Sequence, residues 1–240
     1  MSAPPSISFD RLVKHYPDVR AVDGLTADVV AGRITAFLGP NGSGKTTTMR
    51  LLLGLADPSS GTALLYGRPY RELEHPLHVV GALLDQGFHP NRTARSHLRV
   101  VTAQAGVPDS RADDVLELVG LTAAAGRRVG GFSLGMRQRL GLATALIGNP
   151  SVLILDEPFN GLDPDGISTM RLFLREFADR GGTVLLSSHL LAEVATIADD
   201  AIILNRGRVV RTGPIAGVDL ESVFHDLVHV RSLTAQEFSS

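Results

Sequence analysis

The 240-residue sequence predicts an α/β protein built on a mainly parallel sheet. After Pro150, short apolar runs alternate with amphipathic stretches, a rhythm typical of parallel strands covered by helices on both faces. The first 30 residues instead carry the alternating pattern of antiparallel strands, and residues 93–147 show helical spacing without convincing strands. We therefore expect one domain, 1–240, in which an α/β core with an antiparallel part (1–87 and 149–213) carries an inserted helical lobe (88–148) and a C-terminal helix and tail (214–240).

The elements of the N-terminal part follow from apolar runs between turn residues. A turn through Tyr16-Pro17-Asp18 separates the first two strands, and a helix is predicted over Thr47–Leu55. The predicted strands are Ile7–Leu12, Leu25–Val29, Ile34–Leu38, Ala63–Tyr66 and Val79–Leu84.

Two helices are predicted in the lobe from their boundary signals. Ser110 and Asp113 have the spacing of a capping box that opens a helix over Ala112–Val119, ended by Gly120. A second helix is expected to begin after Gly135 and to stop at Asn149-Pro150.

The C-terminal part resumes the alternation of strands and helices. Strands are predicted over Val152–Leu155 and Thr183–Leu186, and Asn205-Arg206-Gly207 predicts a hairpin between Ala201–Leu204 and Arg208–Arg211. The predicted helices are Ile167–Arg180, Leu190–Ala198 and a segment around Val218–His229.

Composition excludes several classes of function. The net charge of −2 gives no sign of a nucleic-acid-binding tail or a polybasic membrane anchor, so we expect no nucleic-acid partner. Without cysteine the chain has no disulfides or thiolate metal sites. The start, Met1–Ser6, lacks the pattern of a secretory signal, and the apolar runs are too short to cross a bilayer. If the protein acts at a membrane, we expect another chain to supply the membrane part.

The strongest functional motif is the segment 39–46, here named the phosphate loop, which fits the pattern G-x-x-x-x-G-K-[ST]. Glycines let such a loop curl its N–H groups toward phosphate oxygens, and the following helix adds its positive N-terminus. We expect Lys45 to neutralise the β- and γ-phosphates and the Thr46 hydroxyl to hold Mg²⁺. Lys45 and Lys14 are the only lysines in the chain, which indicates that a lysine is required in this position. The candidate phosphate-binding residues are Gly39, Pro40, Asn41, Gly42, Ser43, Gly44, Lys45, Thr46 and Thr47.

Two later apolar strands also end in chemically capable side chains. Asp156 and Glu157 follow Val152–Leu155, where Asp156 is placed to orient Mg²⁺ through its water shell and Glu157 to act as general base on the attacking water. His189 closes the next strand, where it could bind a γ-phosphate. The histidines at 75, 78, 89 and 97 lack a common metal-ligand spacing and are interpreted as structural. Tyr16, an aromatic in a turn ahead of this core, is a candidate platform for a purine ring.

Taken together, these motifs resemble the ATP-binding subunit of an ATP-binding cassette (ABC) transporter over roughly residues 7–213. The resemblance includes a signature segment, Phe132-Ser133-Leu134-Gly135-Met136, which departs from the family's usual Leu-Ser-Gly-Gly-Gln at three of five positions. It implies that Tyr16 stacks on adenine and that Ser133 and Gly135 hold a γ-phosphate. The loop with Asp163, Asn160 to Pro164, resembles the one that follows the catalytic glutamate and reaches the partner subunit.

The family's glutamine loop is matched less well. It senses Mg²⁺, touches the membrane subunit and should follow the predicted strand Val79–Leu84. In this sequence the position expected for the glutamine is occupied by Asp85, and Gln86 is one residue further on. Either residue could act as the family's glutamine does.

The resemblance also implies a mechanism and partners. Two such subunits, here expected to be identical, pair head to tail around two ATP molecules, and a separate integral membrane permease holds them at the inner face of the cell membrane. Within the family the sequence looks most like bacterial drug- and antibiotic-export subunits of the ABC-2 type. The alternatives are a cytosolic ABC ATPase with an assembly role and a degenerate cassette that binds ATP without cleaving it. A GTPase is excluded, because no Asn/Thr-Lys-x-Asp segment is present, and a kinase does not explain the full set of motifs.

Overall fold

The computed structural model describes residues 5–84 and 87–225. Contacts divide the chain into two compact units. The first combines Met1–Glu72 with Leu185–Ser240, and the second is Leu73–Val184.

Nine strands are defined within the described residues. They are β1 (Pro5–Tyr16), β2 (Val19–Val30), β3 (Ile34–Leu38), β4 (Ser60–Leu65), β5 (Val80–Leu83), β6 (Val152–Asp156), β7 (Thr183–Ser187), β8 (Asp200–Asn205) and β9 (Arg208–Pro214).

Eight α-helices are defined in the same part of the chain. They are α1 (Lys45–Leu52), α2 (Pro76–Val79), α3 (Ala94–Ala105), α4 (Arg111–Leu118), α5 (Leu134–Ala145), α6 (Pro164–Asp179), α7 (Leu191–Ile197) and α8 (Leu220–His225). The helix predicted around Val218–His229 therefore includes α8, and its last residues lie outside the described part.

The first unit contains an antiparallel sheet in the order β2-β1-β4. Its two long strands extend beyond the predicted Ile7–Leu12 and Leu25–Val29 because pairing continues through polar residues up to the turn, where Tyr16 pairs with Val19. Alternate residues in the second half of β2 are buried, namely Leu25, Ala27 and Val29. Such alternation is typical of a sheet with one solvated face.

In the first unit the strands of the second sheet have the order β7-β3-β8-β9, and in the second unit the order is β5-β6-β7. Strand β7 appears in both because the unit boundary falls within it. β3 pairs in parallel with β8, β5 pairs in parallel with β6, and β9 is antiparallel to β8. All five residues of β3 and of β7 are buried, as expected for parallel strands covered on both faces. The predicted α/β class and the hairpin of β8 and β9 are confirmed.

Two predicted helix N-terminal signals differ from the structure. α5 begins at Leu134 rather than after Gly135, because the Ser133 hydroxyl accepts a hydrogen bond from Met136 N at 3.2 Å and so caps the helix two residues earlier. The capping box of α4 does not form. Ser110 has right-handed helical backbone angles and makes no capping bond, and the Asp113 carboxylate instead pairs with Arg95 at 2.6 Å.

Helix α5 lies directly against strand β5. A Cβ atom added to Gly81 would collide with the carbonyl oxygen of Ala145, and one added to Gly141 would collide with the side chain of Leu83. Both glycines therefore allow a backbone approach that no larger residue permits. This contact fixes the helix that carries the signature segment against a strand of the second unit.

No helix within the described residues combines the length and hydropathy that a membrane span requires.

Candidate functional site

The phosphate loop connects the buried strand β3 to helix α1 in the first unit. Gly39, Gly42 and Gly44 have φ angles of 150°, 78° and 105°, a region that favours glycine. A Cβ atom at Gly39 would collide with the carbonyl oxygen of Leu204, and one at Gly44 with that of Ala21. The loop's path therefore depends on glycine for both conformation and space.

Lys45 is folded into the phosphate loop. The residue is 6% exposed, and its ammonium group donates hydrogen bonds to the carbonyl oxygens of Gly39 at 2.6 Å and Pro40 at 3.1 Å. The loop thus encloses a positive charge at the N-terminus of α1, where the helix dipole also favours an anion.

The loop also contains a buried hydroxyl group without a partner. Ser43 is 2% exposed, and its Oγ has no hydrogen-bond partner. Thr46 and Thr47 are half-buried in the first turn of α1, which has no acidic residue. A lysine ammonium, an unsatisfied hydroxyl and a helix N-terminus without acidic side chains together fit a bound phosphate. Pro40, Asn41 and Gly42 form the more exposed rim of the loop.

Tyr16 lies at the end of the β1–β2 hairpin, 46% exposed, with the Lys14 ammonium 5.1 Å from its ring centroid. The same end of the hairpin approaches the phosphate loop, because the Ala21 carbonyl faces Gly44. An accessible aromatic beside a phosphate-binding loop suits the predicted adenine platform.

His189 follows β7 at the edge where the phosphate loop begins. The backbone N–H of Ser188 donates to the carbonyl of Phe37 at 3.4 Å, and Phe37 lies two residues before Gly39. His189 itself is exposed. The first unit therefore brings together, at one edge, the phosphate loop and the histidine that was predicted to bind a γ-phosphate.

The acidic pair belongs to the second unit. Asp156 is the last residue of β6, and Glu157 follows with φ 50°, a left-handed conformation unusual for a residue other than glycine. Both side chains are half-buried. The chain therefore changes direction sharply at Glu157, directly after Asp156.

The signature segment lies beside the loop that follows Glu157. Gly135 approaches this loop so closely that a Cβ atom added to it would lie 2.7 Å from the carbonyl oxygen of Gly161. The side chain of Leu134 covers Gly161. Ser133 is exposed and caps α5. Asp163 caps α6, its carboxylate accepting from Gly166 N at 2.9 Å.

One residue at this site was missed by the sequence reasoning. The buried Gln138 donates from Nε2 to the backbone carbonyl of Glu157 at 2.9 Å. Its only sequence signal is a polar side chain among the apolar positions of α5, which does not identify a partner. Asp85 and Gln86, the candidates for the glutamine loop, lie outside the described residues.

His97 in the lobe illustrates the structural role predicted for the other histidines. Burial and the nearby Arg92 lower the pKa of His97, which favours its neutral form. The Thr144 hydroxyl donates to Leu140 O at 2.8 Å, so its oxygen accepts from His97 Nε2 at 3.2 Å. The ring also packs edge-on against Phe88 at 5.0 Å.

The residues predicted to bind Mg²⁺ carry oxygen donors. Within residues 5–84 and 87–225, no group of three or more histidine or acidic side chains could hold a metal ion. Mg²⁺ is commonly held by one or two protein oxygens together with water and substrate phosphates. The Thr46 hydroxyl and the Asp156 carboxylate are groups of this kind.

Comparison with known proteins gives the family. The model of the ABC transporter family matches residues 22–160. The bacitracin transport ATP-binding protein BcrA of Bacillus licheniformis is 42% identical over 207 residues, which are 85% of this chain and 68% of that protein. The lantibiotic transport ATP-binding protein SrtF of Streptococcus pyogenes is 35% identical over 224 residues, 92% of this chain and 97% of that protein.

Solved structures agree on the fold. The structure of an ATP-binding subunit of an ABC transporter superposes with a TM-score of 0.83 at 25% identity and covers 92% of this chain and 98% of that one. A dimeric bacterial ABC transporter cassette gives a TM-score of 0.81 at 22% identity, covering 88% of this chain and 99% of that one. With the phosphate loop, these comparisons place the chain in the ABC transporter family, as an ATP-binding and ATP-hydrolysing subunit that powers a membrane transporter.

Proposed function

We propose that this subunit binds Mg-ATP and hydrolyses it in a head-to-tail homodimer to drive export of a peptide antibiotic through a separate membrane subunit. The observation that carries the ATPase part is the phosphate loop, in which Lys45 is enclosed beside a buried, unsatisfied Ser43 hydroxyl. The substrate class rests on the relatives, which are named for the transport of bacitracin and lantibiotics.

Each proposed catalytic group has a separate task. Lys45 neutralises the phosphates, while Thr46 and Asp156 hold the metal ion, which supplies charge neutralisation when bound. Glu157 takes a proton from the attacking water, and His189 donates a hydrogen bond to the γ-phosphate. Tyr16 stacks on the adenine ring.

The signature segment completes the site of the partner subunit in this proposal. Ser133 and Gly135 stand at the N-terminus of α5, whose first turn has no acidic residue. Such a helix end attracts a phosphate, here the γ-phosphate of the nucleotide held by the second copy. Asp163, in the loop that packs against the signature segment, faces the same partner.

The proposed membrane partner determines where in the cell this subunit acts. We place the dimer peripherally on the inner face of the cell membrane, held there by an integral permease. The alternative, an assembly role without transport, predicts recovery with other partners only. Co-purification of the subunit with a multi-span membrane protein distinguishes the two.

The decisive experiment is the variant Glu157→Gln. Removal of the base should lower phosphate release at least about 100-fold, because general-base catalysis contributes 10²–10⁴-fold, while ATP binding is retained. The variant should accumulate as an ATP-bound dimer, detected by size-exclusion chromatography with and without Mg-ATP. Hydrolysis at the wild-type rate would show that Glu157 is not the base.

A further inference from the structure

Gln138 forms a direct link between the signature helix and the backbone of the proposed base. The residue lies in the second turn of α5 and is 3% exposed. Its side-chain amide donates to the Glu157 carbonyl oxygen at 2.9 Å. The same oxygen accepts a second hydrogen bond, from Asn160 N at 3.2 Å. Two donors on one oxygen fix the orientation of the peptide group that follows Glu157.

The Glu157 peptide group needs this support because the backbone of Glu157 is strained. Glu157 has φ 50°, and a left-handed conformation is unfavourable for a residue with a Cβ atom. Strained residues persist only where their surroundings hold them. If the carbonyl lost its side-chain donor, the backbone at 157 could relax toward an extended conformation, and the carboxylate would move with it.

The same helix carries the end of the signature segment in its first turn. Gly135 and Leu134 pack against Gly161, four residues after Glu157. The start of α5 therefore contacts the chain after the base at two separate points, the Gln138 amide and the Gly135 backbone. A shift of the helix start would be transmitted to Glu157 through both contacts.

We infer that Gln138 is a positioning residue for hydrolysis, which holds the backbone of Glu157 in its catalytic conformation and so couples the signature segment to the base of the same subunit. The inference rests on the proposed function, since it assigns the base to Glu157. Gln138 acts through the Glu157 peptide and touches no reacting atom.

The test is the variant Gln138→Met, which keeps side-chain length and apolar packing but removes the amide donor. We expect kcat for ATP hydrolysis to fall at least tenfold, while KM for ATP changes less than twofold because the phosphate loop lies in the other unit. Gln104→Met makes the same change at an exposed position of α3 and should hydrolyse ATP like the wild type.

A second measurement separates positioning from a general loss of structure. In the Glu157→Gln background the base is already absent, so adding Gln138→Met should leave the ATP-dependent dimer intact. If Gln138 served only to stabilise the fold, the double variant would no longer form the dimer and its melting temperature would fall. That result would overturn the inference. Gln138→Leu also removes the donor, and it should show the same fall in kcat if the methionine variant does not fold.

The outcomes also separate this inference from the proposed function. Wild-type kcat in Gln138→Met would overturn the role of Gln138 and leave the ATPase assignment standing. Failure of the wild type to release phosphate, or of Glu157→Gln to form the trapped dimer, would instead overturn the proposed function.

Discussion

At the scale of single residues, the site depends on a few side chains held in unusual surroundings. Lys45 is an almost fully buried cation whose ammonium group bonds to the carbonyls of its own loop, at 2.6 Å and 3.1 Å. Ser43 is a buried hydroxyl without a partner, and Glu157 has a left-handed backbone. Each arrangement costs stability in the isolated subunit, and such costs concentrate at functional sites.

The size of the lysine head group should matter as much as its charge. We predict that Lys45→Arg lowers affinity for ATP at least about tenfold, because a planar guanidinium does not fit where the compact ammonium reaches two loop carbonyls. Isothermal titration with Mg-ATP measures the effect. The wild-type protein gives the reference affinity, and an unchanged affinity in Lys45→Arg would show that charge alone suffices.

At the scale of elements, helix α5 connects the sheet to the site. Its C-terminal half packs on β5 through Gly81 and Gly141, its first turn carries the signature segment, and Gln138 contacts Glu157 after β6. Helix α5 therefore contacts strand β5 and the residue that follows β6, and it also carries the segment proposed to bind the partner's nucleotide.

This packing predicts a steric effect at Gly81. Gly81→Ala should lower the free energy of unfolding by about 1–3 kcal/mol, because the new Cβ atom would collide with the Ala145 carbonyl and push α5 away from β5. Urea unfolding measures the change. Gly126→Ala adds the same methyl group where no atom lies within 4 Å, and it should change stability by less than about 0.5 kcal/mol. Equal midpoints for the two variants would contradict the close packing.

At the scale of the whole molecule, the protein is a family member whose described residues contain no cluster suited to a structural metal ion. In the proposed function the metal ion is held by Thr46 and Asp156 together with the nucleotide phosphates.

Chelation should separate catalysis from stability. We predict that EDTA abolishes phosphate release and that added Mg²⁺ restores it, because Mg²⁺ neutralises charge on the phosphates. The melting temperature of the nucleotide-free protein should change by less than about 2 °C, an amount that corresponds to about 1 kcal/mol or less. A large fall in melting temperature would reveal a structural metal, and undiminished hydrolysis would exclude the proposed role of Mg²⁺.

The sequence by itself determined the family, the fold class and the phosphate loop. These follow from local patterns, and the bounds of β3, Ile34–Leu38, were predicted as observed because a continuous apolar run between turn residues has few alternatives. The lobe bounds of 88–148 and the roles of the site residues stay predictions. So does the convergence of the phosphate loop, the acidic pair and His189 on one triphosphate.

Tertiary structure decided what local patterns could not. The Ser110 capping box does not form, and the Asp113 carboxylate pairs instead with Arg95, 18 residues away in sequence. The bond from Gln138 to the Glu157 backbone joins residues 19 apart, and the packing of Gly81 on Ala145 joins two different elements. Spacing along the chain carries no information about such contacts, because they form only when separate elements pack together.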